Sequence, residues 1–146
     1  MTTNIRLITF DLDDTLWDMR PALEAAEQAQ WSYLRSRFPN LALEATTREE
    51  LANIRSTLLT ERPELAHHIS LFREIYIERL LRSQDVPPDE SVEAARQAFA
   101  AFLSERHRVA VYDSAHSVLK TLANHFQLGA LTNGNADVRK TEIGHY

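Results

Sequence analysis

The feature that most constrains this chain is a short apolar run followed at once by a cluster of acids. Residues 5–10 read Ile-Arg-Leu-Ile-Thr-Phe and residues 11–15 read Asp-Leu-Asp-Asp-Thr. The run is too short for a helix and rich in residues that favour strands, so it predicts a buried β-strand. Open α/β sheets bind ligands at the carboxyl ends of their strands, which is where these acids fall. Clustered carboxylates need a counter-charge, and their hard oxygens suit Mg²⁺.

The spacing of the acids predicts a shared pocket. Residues two apart in an extended segment point to the same side, so we expect Asp11 and Asp13 to face one crevice, with Thr15 where the chain bends. One carboxylate can then act as a nucleophile and the other as a proton shuttle. The plainer interpretation is an acidic turn that caps a helix, which is common for two acids but much less common for strand-Asp-x-Asp-x-Thr-Leu.

A second motif lies far downstream. Residues 129–135 read Gly-Ala-Leu-Thr-Asn-Gly-Asn, and residues 128–131 predict a strand that Thr132 follows directly. By itself, Asn133-Gly134 indicates only a strand that runs into a turn. If the two strands are parallel, their connection should be a right-handed crossover.

The long segment between the motifs predicts helices throughout, because apolar residues recur there at helical spacing. Prolines and the capping box Thr47-x-x-Glu50 mark helix ends. The predicted helices span residues 19–37, 48–60 and 65–80, a stretch from about 88 through 102, and 114–126. Residues 135–140 read as the N-capped start of another helix. A parallel crossover needs only about a dozen residues. We therefore predict an α/β fold with an inserted helical bundle.

Together, the two motifs resemble those of the haloacid dehalogenase (HAD)-like hydrolase superfamily. Residues 10–17, Phe-Asp-Leu-Asp-Asp-Thr-Leu-Trp, are similar to the branch with a helical cap, which includes flavin mononucleotide and nucleotide phosphatases. The resemblance implies a partial Rossmann-like core of parallel strands at residues 1–16 and 108–146. It implies an α-helical cap at residues 17–107.

The resemblance also implies the chemistry of the site. Asp11 is then the nucleophile that forms an aspartyl-phosphate, and Asp13 protonates the leaving oxygen and later activates water. Mg²⁺ bridges the Asp11 carboxylate, the Asp13 backbone carbonyl and the phosphate. The Thr132 hydroxyl and the Asn133 amide hold the phosphoryl group, and Thr15 braces the loop.

The acid at position 13 favours a phosphatase of small phosphorylated metabolites, because halide leaves a haloacid without protonation. Three alternatives stay open. The chain is a dehalogenase-type hydrolase, or it is a non-catalytic remnant that binds a metal or a partner. A receiver-like signalling domain also carries acids after its first strand, but it lacks a long helical insert, so we rank it last.

Two further elements of the family pattern have no clear match. The pattern includes a lysine that neutralises the phosphoryl group and a late acidic pair that completes the metal site. Residues 134–146 contain Lys140, which falls on a predicted helix surface, and the acids Asp137 and Glu142. We therefore expect an N-terminal portion of such an enzyme, inactive alone and able to self-associate through an incomplete core.

Three other side chains allow more than one interpretation. Asp14 is expected to support the loop from behind or to cap a helix. Trp17 is expected either to pack at the hinge or to line the substrate entrance. Arg73 is expected at the surface, although an arginine in the cap could also meet a substrate anion. The aromatic residues of the insert are expected in its core: Trp31, Phe72, Tyr76, Phe99 and Phe102.

Composition limits the remaining classes. The chain is 44% hydrophobic and 25% charged, as is usual for a globular domain. It has no cysteine, which excludes a disulfide framework and thiolate chemistry and makes the cytoplasm the expected location. We expect no membrane association, because the sequence lacks an apolar run of about 18 residues and a secretory signal. A net charge of −5 argues against a nucleic-acid partner.

Overall fold

The computed structural model describes residues 5–41, 43 and 46–146. The predicted α/β class is confirmed. Short 3₁₀ helices lie at Pro63–His67 and Val138–Lys140. The main elements, in chain order, are β1 (Leu7–Phe10), α1 (Met19–Arg37), α2 (Arg48–Glu61), α3 (Ile69–Arg82), α4 (Pro88–Arg106), α5 (Asp113–Ala123) and β2 (Gln127–Ala130).

The two strands pair in parallel, with Leu7 opposite Gln127 and Phe10 opposite Ala130. They form the only sheet in the described part of the chain. The Leu131 N–H donates to the Phe10 carbonyl at 2.9 Å, so the pairing extends one residue beyond β2. Each predicted strand is therefore close to the observed one, although β1 begins two residues later than expected.

The strand β1, which was expected to be buried, is covered only in part. Ile8 and Phe10 are half-buried, whereas Thr9 is exposed and Leu7 is 55% exposed. Side chains alternate between the two faces of a strand. Phe10 packs against the hydrophobic cluster, and the face that carries Leu7 does not.

The chain divides into two compact units. The core unit comprises Met1–Ala26 and Leu103–Tyr146, and the helical unit comprises Glu27–Phe102. The boundaries predicted from the sequence fall after residues 16 and 107. The first turns of α1 belong to the core unit because Met19 packs against its hydrophobic cluster. The end of α4 belongs there too, because Arg106 pairs with Asp13.

The core unit is held by one hydrophobic cluster under the sheet. α5 contributes Ala115 and Leu119, and the turn after β1 contributes fully buried Trp17. α5 ends three residues earlier than predicted, because the amides of His125 and Phe126 both turn back to the Leu122 carbonyl at 2.9 Å. The buried members are Leu12, Leu16, Trp17, Val111, Ala115, Leu119, Ala136 and Ile143.

The end of the chain differs from the prediction. The N-capped helix expected at residues 135–140 is a single 3₁₀ turn, Val138–Lys140. Its cap is Asp137 rather than Asn135, because the Asp137 carboxylate accepts the Arg139 N–H at 3.1 Å.

The helical unit is a packed set of helices with its own core. The predicted capping box is confirmed: Thr47 Oγ1 accepts from Glu50 N at 3.2 Å, and Glu50 Oε2 accepts from Thr47 N at 2.6 Å. Its buried cluster contains Leu34, Leu43, Ile77, Leu81, Val86, Ala94, Ala95 and Ala98. Within the described ranges, no helix has the length and apolar character needed to cross a membrane.

One predicted helix of this unit is wrong in extent. Residues 65–80 do not form a continuous helix, because His68 has φ −125° and ψ 66° and interrupts the backbone hydrogen bonding. Leu65 is buried in the preceding 3₁₀ helix, and α3 begins at Ile69 and continues to Arg82.

Candidate active site

The acidic motif forms a tight loop at the carboxyl end of β1. Leu12 is buried while Asp11 is exposed, so the chain alternates as an extended segment does. The amides of Thr15 and Leu16 then bond back to the Leu12 carbonyl, at 3.2 and 2.8 Å. The Thr15 hydroxyl, which was expected to brace the loop, donates to Asp11 Oδ2 at 3.3 Å.

Asp14 completes this loop in a strained backbone conformation. Its φ is 57°, in the left-handed region that aspartate tolerates better than most residues. Its amide bonds to the Trp17 carbonyl at 2.8 Å, and its Oδ1 accepts the Met19 N–H at 3.2 Å. Asp14 therefore satisfies an amide at the start of α1, so the capping interpretation is correct.

Both oxygens of the Asp13 carboxylate accept a hydrogen bond. Trp17 Nε1–H donates to Oδ1 at 2.8 Å, and Arg106 Nη2–H donates to Oδ2 at 2.5 Å. The side chains of Asp13 and Arg106 are 16% and 3% exposed. A carboxylate that accepts from two donors is acting purely as an acceptor, which is the role of its ionised form.

The structure decides between the two interpretations of Trp17, and it adds Arg106 to the residues around Asp13. The Trp17 side chain has no exposed surface, so it does not line an entrance. Arg106 was not singled out from the sequence, where it reads as an ordinary basic residue in the last turn of a helix. Its Nη1 is buried and has no hydrogen-bond partner among the described residues.

The motif after β2 lies against the acidic motif after β1. The Gly134 N–H donates to Thr132 Oγ1 at 3.0 Å and folds the segment after β2 into a compact turn. A β-carbon on Gly134 would lie 2.4 Å from Asp13 Oδ2, 3.4 Å from Thr132 Oγ1 and 3.5 Å from Arg106 Nη2. Only glycine fits this close approach. Asn133, the other predicted phosphate ligand, is exposed beside them.

The later acids have structural partners outside this cluster. Glu142 Oε1 accepts the Val111 N–H at 3.1 Å. Asp137 forms a bidentate ion pair with Arg139, which lowers the pKa of Asp137 to about 2. Lys140 is exposed on its 3₁₀ turn.

The residues present suit a hard cation but supply only part of its shell. Asp11 offers an exposed carboxylate at the end of the strand, whereas both carboxylate oxygens of Asp13 already accept hydrogen bonds. Among the described residues, no group of three or more His, Cys, Asp and Glu side chains is arranged to hold a metal.

Comparison with known proteins places the chain in a family. A family model described as haloacid dehalogenase-like hydrolase matches residues 5–146. The chain is 32% identical over 142 residues to 5-amino-6-(5-phospho-D-ribitylamino)uracil phosphatase YigB of Escherichia coli K12, which covers 97% of this chain and 59% of that protein.

A solved structure shows the same likeness. The crystal structure of a 2-haloacid dehalogenase from Pseudomonas syringae superposes with a TM-score of 0.86 at 42% identity, covering 94% of this chain and 59% of that one. The chain thus spans about three-fifths of the length of these relatives. A receiver-like signalling domain is excluded, and the chain belongs to the haloacid dehalogenase-like hydrolases.

Proposed function

We propose that this chain carries the nucleophile, the acid–base group and the phosphate-binding loop of a Mg²⁺-dependent phosphatase of small phosphomonoesters. The observation that supports this is the meeting of the two motifs, with Gly134 packed against Asp13 and next to Thr132. Both motifs follow parallel strands at the same edge of the sheet, where ligands of open α/β sheets bind.

Asp11 is the nucleophile of the proposed reaction. Its exposed carboxylate attacks phosphorus, the bond to the ester oxygen breaks, and an aspartyl-phosphate forms. Asp13 donates a proton to the departing oxygen, which leaves as an alcohol. Asp13 then takes a proton from water as the water attacks phosphorus, which frees Asp11 and releases inorganic phosphate.

The hydrogen bonds that Asp13 accepts suit the step in which it takes a proton from water. Trp17 and Arg106 hold the carboxylate as an acceptor, which is the form that removes a proton from water. To serve as the acid of the first step, one oxygen has to give up a donor and take a proton. Arg106 is the group suited to this exchange, because an incoming phosphoryl oxygen offers its guanidinium another acceptor.

Thr132 holds the phosphoryl group in this proposal. A hydroxyl has one O–H donor and two acceptor lone pairs, and Thr132 uses acceptor capacity for the Gly134 amide. Its O–H remains available for a phosphoryl oxygen. Asn133 is exposed next to it and supplies a backbone N–H as the second donor.

Mg²⁺ fits the oxygen donors of this edge and would be held by the Asp11 carboxylate and the Asp13 backbone carbonyl. When bound, it neutralises charge between the nucleophile and the phosphate. Since Lys140 is exposed and Glu142 bonds to Val111, we propose that the described residues alone support little turnover.

A dehalogenase is the second candidate, because a 2-haloacid dehalogenase is structurally similar to this chain. Asp11 would then attack carbon rather than phosphorus and displace halide. Asp13 favours the phosphatase, since its proton is needed by an alkoxide and not by a halide.

The test is hydrolysis by the full product of the gene and by residues 1–146, each with and without Mg²⁺. Phosphate release is measured on a panel of nucleotide, flavin and sugar phosphomonoesters, and halide release on 2-haloacids. We expect Mg²⁺-dependent phosphate release by the full product, abolished by Asp11→Asn and retained by the matched control Asp89→Asn on the exposed start of α4.

Each unexpected result of this test favours a different alternative. Halide release without phosphate release would favour the dehalogenase. Neither activity in the full product would favour a non-catalytic remnant. If Asp11→Asn kept most of the phosphatase activity, the nucleophile assignment would be wrong.

A further inference from the structure

The helical unit contains a cavity of about 300 Å³ that the proposed hydrolysis does not use. It lies among α1, α2 and α3, and its volume is at the lower end for small-molecule sites. The residues that line it and that determine its charge and aromatic surface are Gln30, Trp31, Arg55, Phe72, Arg73 and Tyr76.

The charge in this cavity is unbalanced. Arg73, expected at the surface, is only 22% exposed, and its nearest carboxylate is that of Glu27, 3.8 Å away and half-exposed. Its Nη1–H donates to Gln30 Oε1 at 3.3 Å, and the Gln30 side chain is almost fully buried. Burial lowers the pKa of Arg73, which shows that its charge is poorly solvated.

A second guanidinium adds to this imbalance. Arg55 lines the same cavity, and its guanidinium lies 5.3 Å from the centre of the Phe72 ring. Within the described ranges, Arg55 has neither an ion pair nor a side-chain hydrogen bond. Two cations thus face one partly exposed carboxylate, and an anion would satisfy the free N–H donors.

Aromatic rings form the walls of the cavity. The rings of Phe72 and Tyr76 are stacked with their centres 5.9 Å apart and their planes 19° apart. Trp31, Phe72 and Tyr76 were expected in the core of the insert but are only half-buried, whereas Phe99 and Phe102 are buried as predicted. Arg73 lies 3.9 Å above the Phe102 ring, which fixes its guanidinium from behind.

We propose that this cavity binds a small anion built on a planar ring, an aromatic carboxylate or phosphate. The two guanidiniums bind the acidic group, and the ring stacks against the aromatic wall. The site lies wholly within residues 27–102 and does not depend on the reaction proposed for Asp11.

The probe is phenylphosphonate, whose carbon–phosphorus bond a phosphatase does not cleave. Binding is measured by calorimetry and by the change in fluorescence of Trp31, which lines the cavity. We expect saturable binding with a fluorescence change. Methylphosphonate, which lacks the ring, and benzyl alcohol, which lacks the charge, should each bind at least about tenfold more weakly.

Substitutions locate the site. Arg55→Met and Arg73→Met should each weaken binding of phenylphosphonate at least about tenfold. Arg62→Met is the matched control, since this half-exposed arginine pairs with Glu64 and does not line the cavity, and it should leave binding unchanged. Arg55 is itself exposed, so its substitution tests the site even if Arg73→Met fails to fold.

A variant of the core unit separates this inference from the proposed function. Thr132→Val should remove phosphate binding at the sheet edge but leave phenylphosphonate binding intact. Absence of saturable binding, unchanged binding in Arg55→Met, or loss of binding in Thr132→Val would each overturn the inference. Loss of phosphatase activity alone would not affect it.

Discussion

Replacing Arg106 by methionine tests the most tightly built part of the site. Methionine keeps most of the length and apolar volume of the side chain but removes the donor to Asp13 Oδ2. The Asp13 carboxylate, 16% exposed, then loses its counter-charge and keeps only the Trp17 N–H. Breaking a buried ion pair by removing one partner costs about 3–5 kcal/mol.

We expect a loss of about 3 kcal/mol in the free energy of unfolding, the lower end of that range, because Asp13 retains some solvent and one hydrogen bond. For a chain of this size, each kcal/mol lowers the Tm by about 2–4 °C, so the expected decrease is about 6–12 °C. Urea denaturation followed by tryptophan fluorescence measures it, because Trp17 lies at the perturbed contact.

A double-mutant cycle distinguishes the ion pair from simple packing. Asp13→Asn combined with Arg106→Met should be less destabilised than the sum of the two single changes, because no unpaired charge remains. Arg139→Met is the control, since its pair with Asp137 is at the surface, and it should leave stability unchanged. Additive effects, or wild-type stability of Arg106→Met, would refute the reasoning.

Three further predictions concern the same unit. Gly134→Ala should lower stability and phosphate release together, because the new β-carbon would meet Asp13 Oδ2 at 2.4 Å; an unchanged Tm would contradict this. NMR titration should give a pKa of about 2 for Asp137 and a value that returns toward 3.8 in Arg139→Met. Because the pair is exposed, it contributes little to the free energy of unfolding. That small contribution is present above pH 3.8 and is lost as the pH falls through about 2. Calorimetry should show weak Mg²⁺ binding by residues 1–146, and tight binding would argue against an incomplete metal site.

The helices were predictable where local signals coincide. Pro21 in the first turn and Pro39 just past the last residue bracket α1, which spans Met19–Arg37 as predicted. The reciprocal bonds of Thr47 and Glu50 fixed the start of α2. The break at His68 was missed, because apolar residues continue at helical spacing across it and no proline or glycine marks the change.

The site was predictable only where its residues lie in the motifs. Asp11, Asp13 and Thr132 follow strands, and the pairing of those strands brings the two motifs to one edge. Arg106 could not be found in this way, since its partner Asp13 lies 93 residues earlier in the chain. Contacts at that separation depend on tertiary packing, and local pattern carries no signal for them.

The register of the sheet has a consequence for how the site is assembled. Leu7 pairs with Gln127, so the sheet closes a very long loop for only four paired positions on each strand. For a flexible loop of that length, closure costs about 4 kcal/mol beyond a constant, which four-residue strands repay poorly. Folding of the helical unit shortens the free part of this loop. A substitution that loosens the helical unit therefore raises the entropic cost of holding Asp13 beside Gly134, even where it touches neither residue.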